Sequence, residues 1–532
     1  MNYAVHFAYS PQVVAFPDEF SHLYTLNMLL RTHGLRFINP ILPVSTQYPG
    51  LELVTSALVQ AGTPTSVAIV VVELVSHVLA TCLFALLVYG ISQNARATTV
   101  AVAVMALSPH YQSFDVLYAY GTLALPLALA TVVIFRRYLL SAGRSGNVWL
   151  AFALLGATAT AATHHVTAAF LCLVLVALSA DAIATHSGVR SFTATVCSAL
   201  LCVAVVATWL LVAASRTAAY LLTDLQHLLI TGRAPNRLMP IITSASLGPL
   251  RLLSRSNFAT PLGERTMTYG AVLITVTTLM LALRTLFHRG KGREGLGHGM
   301  LLSLSPMALI PLGLRVVSPG GGELAGRAFE YAFIPLAYTV GVGVTTWFAQ
   351  SPARHFKSRL WRPGVAVLGI CSLVVALGFN MAGWPAYFER MPGPFQPGGW
   401  ERSFDYNQYD AARWALHTWG PGHRIAADGA TANIFLGAGL QIPVGISAFY
   451  FLLVNPTRRE AQFLRDYDAQ YVAVDDRMAT ELPAGAAYFN YDPFAGRYTS
   501  PLPTADIDQF NGMPDVSRVY DNGTVQIYRV SK

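Results

Sequence analysis

Asp18 and Glu19 stand side by side in Phe16-Pro-Asp-Glu-Phe-Ser-His22, directly ahead of an apolar helical pattern over residues 23–30. Adjacent carboxylates at a membrane surface can serve as a general base or as metal ligands. They can equally cap a helix, with Asp18 as N-cap and Glu19 favouring the positive end of the helix dipole. The two roles are compatible, because a helix N-terminus fixes a carboxylate in place. A second candidate is Arg315-Val-Val-Ser-Pro-Gly-Gly-Gly-Glu-Leu-Ala-Gly-Arg-Ala-Phe-Glu330. Its glycines lead into a helix start whose backbone N–H groups suit an anion, and Arg315 and Arg327 add charge on either side. That pattern fits a phosphate or pyrophosphate head group, or a plain turn with an arginine snorkelling to the interface.

Three further groups carry titratable or aromatic side chains. Thr163-His164-His165 separates two apolar runs, and the pair can contact phosphate, shuttle protons or form a polar turn. It makes a poor metal site, since neighbours on a helix point about 100° apart. Pro109-His-Tyr-Gln-Ser-Phe-Asp115, with Tyr118 and Tyr120, offers aromatic faces and polar tips of a kind useful against sugars or lipids, and ordinary at an interface. Glu73 and His77 lie four apart on one face of an apolar helix, where an ionisable pair marks either a proton-coupled path or an interhelical hydrogen bond.

Composition decides what must position these residues. Only 12% of residues are charged and 54% are hydrophobic, far from a soluble domain of this length. Apolar runs of about 18–25 residues recur between residues 65 and 384, and a helix crossing a bilayer needs about 20. Ten spans are predicted, near 65–91, 97–109, 116–135, 148–163, 166–184, 192–214, 267–287, 299–316, 327–348 and 364–384, the second short enough to be re-entrant. Arginines and lysines concentrate after the odd-numbered spans, at Arg96, Arg136, Arg137, Arg144, Arg190, Arg289, Lys291, Arg293, Arg354, Lys357, Arg359 and Arg362. Those loops are therefore expected on the cytoplasmic side and the candidate residues on the opposite side. The cysteines Cys82, Cys172, Cys197, Cys202 and Cys371 all fall inside apolar runs, and none suggests a disulfide framework or zinc site. Of the net charge of +8, the basic excess falls in residues 1–384, mostly at span ends, and speaks for a membrane rather than a nucleic-acid partner.

The expected fold class is an all-α polytopic membrane bundle of about ten spans with a small extracytoplasmic α/β C-terminal domain. Residues 1–64 form the first external loop, 65–384 the bundle and 385–532 the soluble domain. Within loop 215–266, residues 220–230 show helical amphipathicity suited to the interface. In the tail, a helix is predicted near 408–419, strands at 424–428 and 471–475, and a hairpin over 516–530 turning at Asp521-Asn-Gly523.

Asp18-Glu19 with His22, the Tyr48-Pro49 step, the helix entry at Arg327 to Glu330 and the C-terminal α/β domain together resemble the C-type membrane glycosyltransferases. That superfamily includes protein O-mannosyltransferases and aminoarabinose transferases, and the likeness is nearest to bacterial members using polyprenyl-phosphate sugars. The resemblance implies an inverting transfer outside the cytoplasmic membrane, from a polyprenyl-phosphate-linked donor to a glycan, lipid or protein acceptor. By position, Asp18 is the base and Glu19 a supporting carboxylate. Arg327, Arg315, His164 and His165 meet the donor phosphate, and His22, Tyr48, His110, Tyr111 and Glu330 meet acceptor or sugar. No cofactor is implied, a divalent metal being the one possible addition. The family carries a span ahead of its acidic loop, and adding it would give about eleven spans with a cytoplasmic N-terminus. Two other functions fit the residues: a transporter or flippase of a lipid-linked or anionic substrate working through Glu73 and His77, and a non-catalytic cell-envelope assembly protein whose carboxylates only cap a helix.

Overall fold

The computed structural model describes residues 14–185, 189–217, 262–289, 295–310, 321–350, 369–378, 394–398, 401–445, 447–453, 466–483, 487–490 and 492–531. Helix α1 (Pro17–Thr32) and α2 (Gly50–Gln60) precede the bundle, which contains α3 (Thr65–Ser92), α4 (Ala95–Met105), α5 (Tyr120–Leu139), α6 (Gly143–Thr163), α7 (His165–Thr185), α8 (Phe192–Thr208), α9 (Leu262–Arg289) and α10 (Gly321–Gln350). Among the described residues seven helices are long and apolar enough to cross a membrane: α3, α5, α6, α7, Phe192–Ala213, Thr266–Phe287 and Glu330–Ala349.

Three of the ten predicted spans are not among those seven. The one near 97–109 is the eleven-residue α4, about 16 Å long against the roughly 30 Å of a hydrocarbon core. It stops because Ser108 caps a new short helix, Pro109–Ser113, with Pro109 in its first turn. The one near 299–316 is His298–Leu304 followed by a 3-10 turn, Ser305–Ala308, and its remainder lies outside the described residues. The same holds for 364–384, of which Gly369–Gly378 is described as a short apolar helix. Residues 220–230 are also outside them.

Polar contacts tie the bundle at one end. The Arg136 guanidinium donates to the carbonyl of Gly90 at 2.7 Å and of Leu296 at 2.8 Å, and Asp181 accepts from the Gly297 amide at 2.7 Å. At the opposite end α1, α2, the Pro109–Ser113 helix and the first turns of α5 and α7 pack together. Beyond it, α11 (Tyr406–Trp419) and α12 (Gly429–Gly437) accompany a five-stranded sheet. Its strands are β1 (Arg424–Ala426), β2 (Ile442–Pro443), β3 (Tyr471–Asp475), β4 (Val516–Asp521) and β5 (Val525–Val530), in the order β2-β1-β3-β5-β4. β1 pairs in parallel with β2 and β3, and β5 pairs antiparallel with β3 and β4. The hairpin turns where expected, with Gly523 at φ +82° and its amide on Asp521 Oδ1. The core of this region is continuous with α1 through Phe20, Leu26, Tyr409 and Phe435.

Candidate active site

Phe16, not Asp18, is the N-cap of α1, and Pro17 occupies its first position. Asp18 and Glu19 therefore fall in the first turn and diverge in environment. Glu19 is buried, and its carboxylate accepts from the Ala15 amide at 2.9 Å and from the Tyr118 amide at 2.8 Å. It closes the helix start and anchors the 114–119 turn to it. Asp18 stays half-buried and lies within electrostatic range of Tyr120, as does Glu52.

One turn further along α1, His22 Nδ1 meets Glu52 Oε1 of α2 at 2.7 Å, both groups buried. Around this pair runs a chain of rings. Tyr120 stands edge-on to His22 at 4.2 Å and stacks with His164 at 5.9 Å, while Tyr48 lies 6.1 Å from Tyr120 and 5.2 Å from His165. Burial, with the Glu52 charge second, holds the Tyr118 phenol well above its usual range, so it stays a neutral donor. His164 Nδ1 bonds Thr167 Oγ1 at 2.8 Å, and that hydroxyl bonds Tyr331 at 2.7 Å, linking the paired histidines to α10.

Beside Tyr331, Glu330 reaches the turn around His110. His110 Nδ1 lies 3.6 Å from Asp115 Oδ1 and 3.6 Å from Glu330 Oε2, and the three side chains, all buried, offer ligand atoms within 4.8 Å of one another. Gly121 leaves room: a Cβ there would stand 3.8 Å from Asp115 and 3.9 Å from Glu330. Neither Asp115 carboxylate oxygen has a hydrogen-bond partner among the described residues. Burying a carboxylate this way is costly unless a positive charge joins it. One imidazole and two carboxylates fit a divalent ion that accepts nitrogen and oxygen, such as manganese or zinc, with positions left open. Next to this group Tyr111 stacks on His77 at 4.2 Å and donates to the His77 carbonyl at 3.2 Å, within electrostatic range of Asp115. Burial pushes its phenol up to about 12.

The structure thus gathers Asp18, Glu19, His22, Tyr48, His110, Glu330, His164 and His165 at one end of the bundle. Arg327 lies on α10, three residues before Glu330, with its side chain outside the described residues, and Arg315 is outside them altogether. Glu73 belongs to the same end: it is buried within electrostatic range of Glu19 and Tyr118. The sequence reading assigned no role to Glu52 or Asp115. Asp115 was visible as the only acid in the turn that holds His110, whereas nothing local marks Glu52 as the partner of His22.

No protein-family profile and no curated protein matches the chain. Solved structures do. An oligosaccharyltransferase of Archaeoglobus fulgidus in its apo form aligns over 96% of this chain and 76% of its own, with TM-score 0.57 and 12% identity. The archaeal oligosaccharyltransferase AglB of the same organism, solved with an inhibitory peptide and a dolichol-phosphate, aligns over 90% and 68%, with TM-score 0.53 and 12% identity. The mycobacterial arabinofuranosyltransferase AftD aligns over 90% of this chain and 36% of its own, with TM-score 0.50 and 16% identity. This chain has the fold of the C-type membrane glycosyltransferases. It is a multi-pass membrane protein, and its candidate residues lie at one end of a bundle built like theirs.

Proposed function

We propose that this protein is an inverting membrane glycosyltransferase that moves a sugar from a polyprenyl-phosphate donor to an acceptor hydroxyl. The observation that carries this reading is the convergence of Asp18, His110, Asp115 and Glu330 on one end of a glycosyltransferase-like bundle. Asp18, half-buried in the first turn of α1, takes the acceptor proton while the hydroxyl oxygen forms its bond to the anomeric carbon. The bond from that carbon to the phosphate oxygen breaks on the opposite face, and the lipid phosphate leaves. Arg327, Arg315, His164 and His165 meet the departing phosphate, and Glu19 holds the helix that carries the base. Bound by His110, Asp115 and Glu330, a divalent cation would supply positive charge for the developing phosphate. Acceptor and sugar contacts fall to His22, Tyr48 and the rings around them.

Arg136 and Arg190 lie at the far end of the bundle, and the preference of basic residues for the cytoplasmic side supports a cytoplasmic far end with the site and the C-terminal domain outside. Glu73 sits among the other acids of the external end, which favours transfer over transport. The test is release of labelled sugar, or of polyprenyl phosphate, in nanodiscs supplied with a panel of polyprenyl-phosphate sugars. Wild type should turn over one donor, and Asp18→Asn should lower its rate by about 10²–10⁴-fold, the usual worth of a general base. Full activity in Asp18→Asn refutes the assignment of the base.

A further inference from the structure

Helix α1 is gripped from outside by the C-terminal domain. Gly437, the last residue of α12, faces Phe20, two positions after Asp18. A Cβ at 437 would stand 2.9 Å from Phe20 Cδ1, 2.9 Å from its carbonyl oxygen and 3.1 Å from its Cα. Two of those atoms are α1 backbone, which cannot swing aside as a flexible side chain can, so glycine alone fits. The Gly437 carbonyl also accepts from Asn27 Nδ2 at 3.0 Å, one face of α1 further along. Ahead of the helix, the Tyr409 hydroxyl of α11 donates to the Val14 carbonyl at 2.8 Å. Phe404 tilts onto the Phe20 ring at 4.8 Å. These contacts at positions 14, 20 and 27 bracket Asp18 from the domain side. Glu19 on the Tyr118 amide and His22 on Glu52 hold α1 from the bundle side.

We infer that Gly437, Asn27 and Tyr409 are positioning residues: the C-terminal domain sets the placement of α1 and, through it, the placement of Asp18 against the bundle. The inference rests on Asp18 being the base. An error of about 1 Å in the placement of a reacting group costs on the order of 100-fold in rate, and a methyl group wedged against Phe20 forces a shift of this kind. The domain then tunes catalysis without touching the reacting atoms.

The experiment compares wild type with Gly437→Ala, Asn27→Ala and Tyr409→Phe in nanodiscs. It reads kcat and donor KM, and follows amide exchange of residues 17–32 with residues 143–163 as an internal reference. Gly437→Ala should lower kcat about 10- to 100-fold with donor KM within about twofold, and should speed exchange in 17–32 but not in 143–163. Asn27→Ala and Tyr409→Phe, which remove a bond without adding bulk, should act in the same direction and more weakly. Unchanged kcat and unchanged exchange in Gly437→Ala overturn the inference. Faster exchange in both segments also overturns it, because it would report general loosening. If the wild type turns over no donor, local exchange in 17–32 still reads the grip on α1, and the assignment of Asp18 as base falls separately.

Discussion

The two ends of the helical bundle treat charge in opposite ways. At the arginine end Arg136 and Asp181 are satisfied by backbone: Arg136 donates to two carbonyls that close neighbouring segments, and Asp181 accepts an amide at the start of the His298–Leu304 helix. Charge there is consumed in holding helices together. At the acid end the His110–Asp115–Glu330 group brings two carboxylates near one imidazole at 3.6 Å, longer than a hydrogen bond. Buried charge left incompletely matched lowers stability, and such sites are kept where a ligand or reaction completes them. On the proposed function, that difference sets a structural end apart from a working one.

The strongest way to break that contrast is to remove Asp115. Asp115→Asn preserves size, takes away one charge, and should abolish retention of a divalent cation. The expected fall in turnover is on the order of 1,000-fold, since a metal ion contributes several kcal/mol to a charged transition state. Metal content after dialysis, and the thermal shift on adding manganese to chelator-treated protein, provide readouts that do not need activity. If chelation moves neither melting temperature nor turnover, the acid end holds no functional cation and its excess charge needs another explanation.

The converse test lies at the arginine end. Arg136→Met leaves the Gly90 and Leu296 carbonyls without their charged donor, at a cost of about 3 kcal/mol. A lower melting temperature is expected, with turnover per folded molecule unchanged. A loss of turnover matching that of Asp115→Asn would show that the two ends are not separable.

How far the sequence revealed this arrangement depends on the range of the interactions. Long spans such as α3 and α7 were legible because hydropathy over about 20 residues requires no tertiary partner. α4 ends at Met105 although apolar residues continue to Leu107, because Ser108 caps the next helix, which starts at Pro109. The sequence favours Asp18 as N-cap, the usual place for an aspartate, yet Phe16 holds that position and Glu19, inside the first turn, ties back the chain ahead of the helix through the Ala15 amide. In the C-terminal domain, β3 and the β4–β5 hairpin announced themselves by β-branched alternation and an Asp-Asn-Gly turn, while the two-residue β2 had no such pattern. The meeting of His110 and Asp115 with Glu330, and of His22 with Glu52, depends on how helices pack, which no local spacing encodes.

A buried acid can be relieved by a proton as well as by a cation, and the C-terminal domain offers the case against which Asp115 can be judged. Asp428 caps α12, its Oδ1 accepting from the Ala430 and Thr431 amides at 3.0 Å each, while Oδ2 has no hydrogen-bond partner among the described residues. Burial, and then the charge of Asp475, pushes its carboxyl from 3.8 up to about 6. Arg477 grips Asp475 at 2.6 and 2.8 Å, so the proton goes to Asp428. Its folded value is raised above the unfolded one. The favourable contribution is therefore complete below about pH 4 and is lost as pH rises through about 6, at a total of about 3 kcal/mol and about half of that between pH 5 and 7.5. Melting of the full protein should fall across that window. Asp428→Asn keeps a capping oxygen and should flatten the dependence while stabilising the domain at pH 7.5. An unchanged slope in the variant would show that Asp428 stays ionised in the fold, leaving burial alone unable to mark which acids of this molecule need a metal.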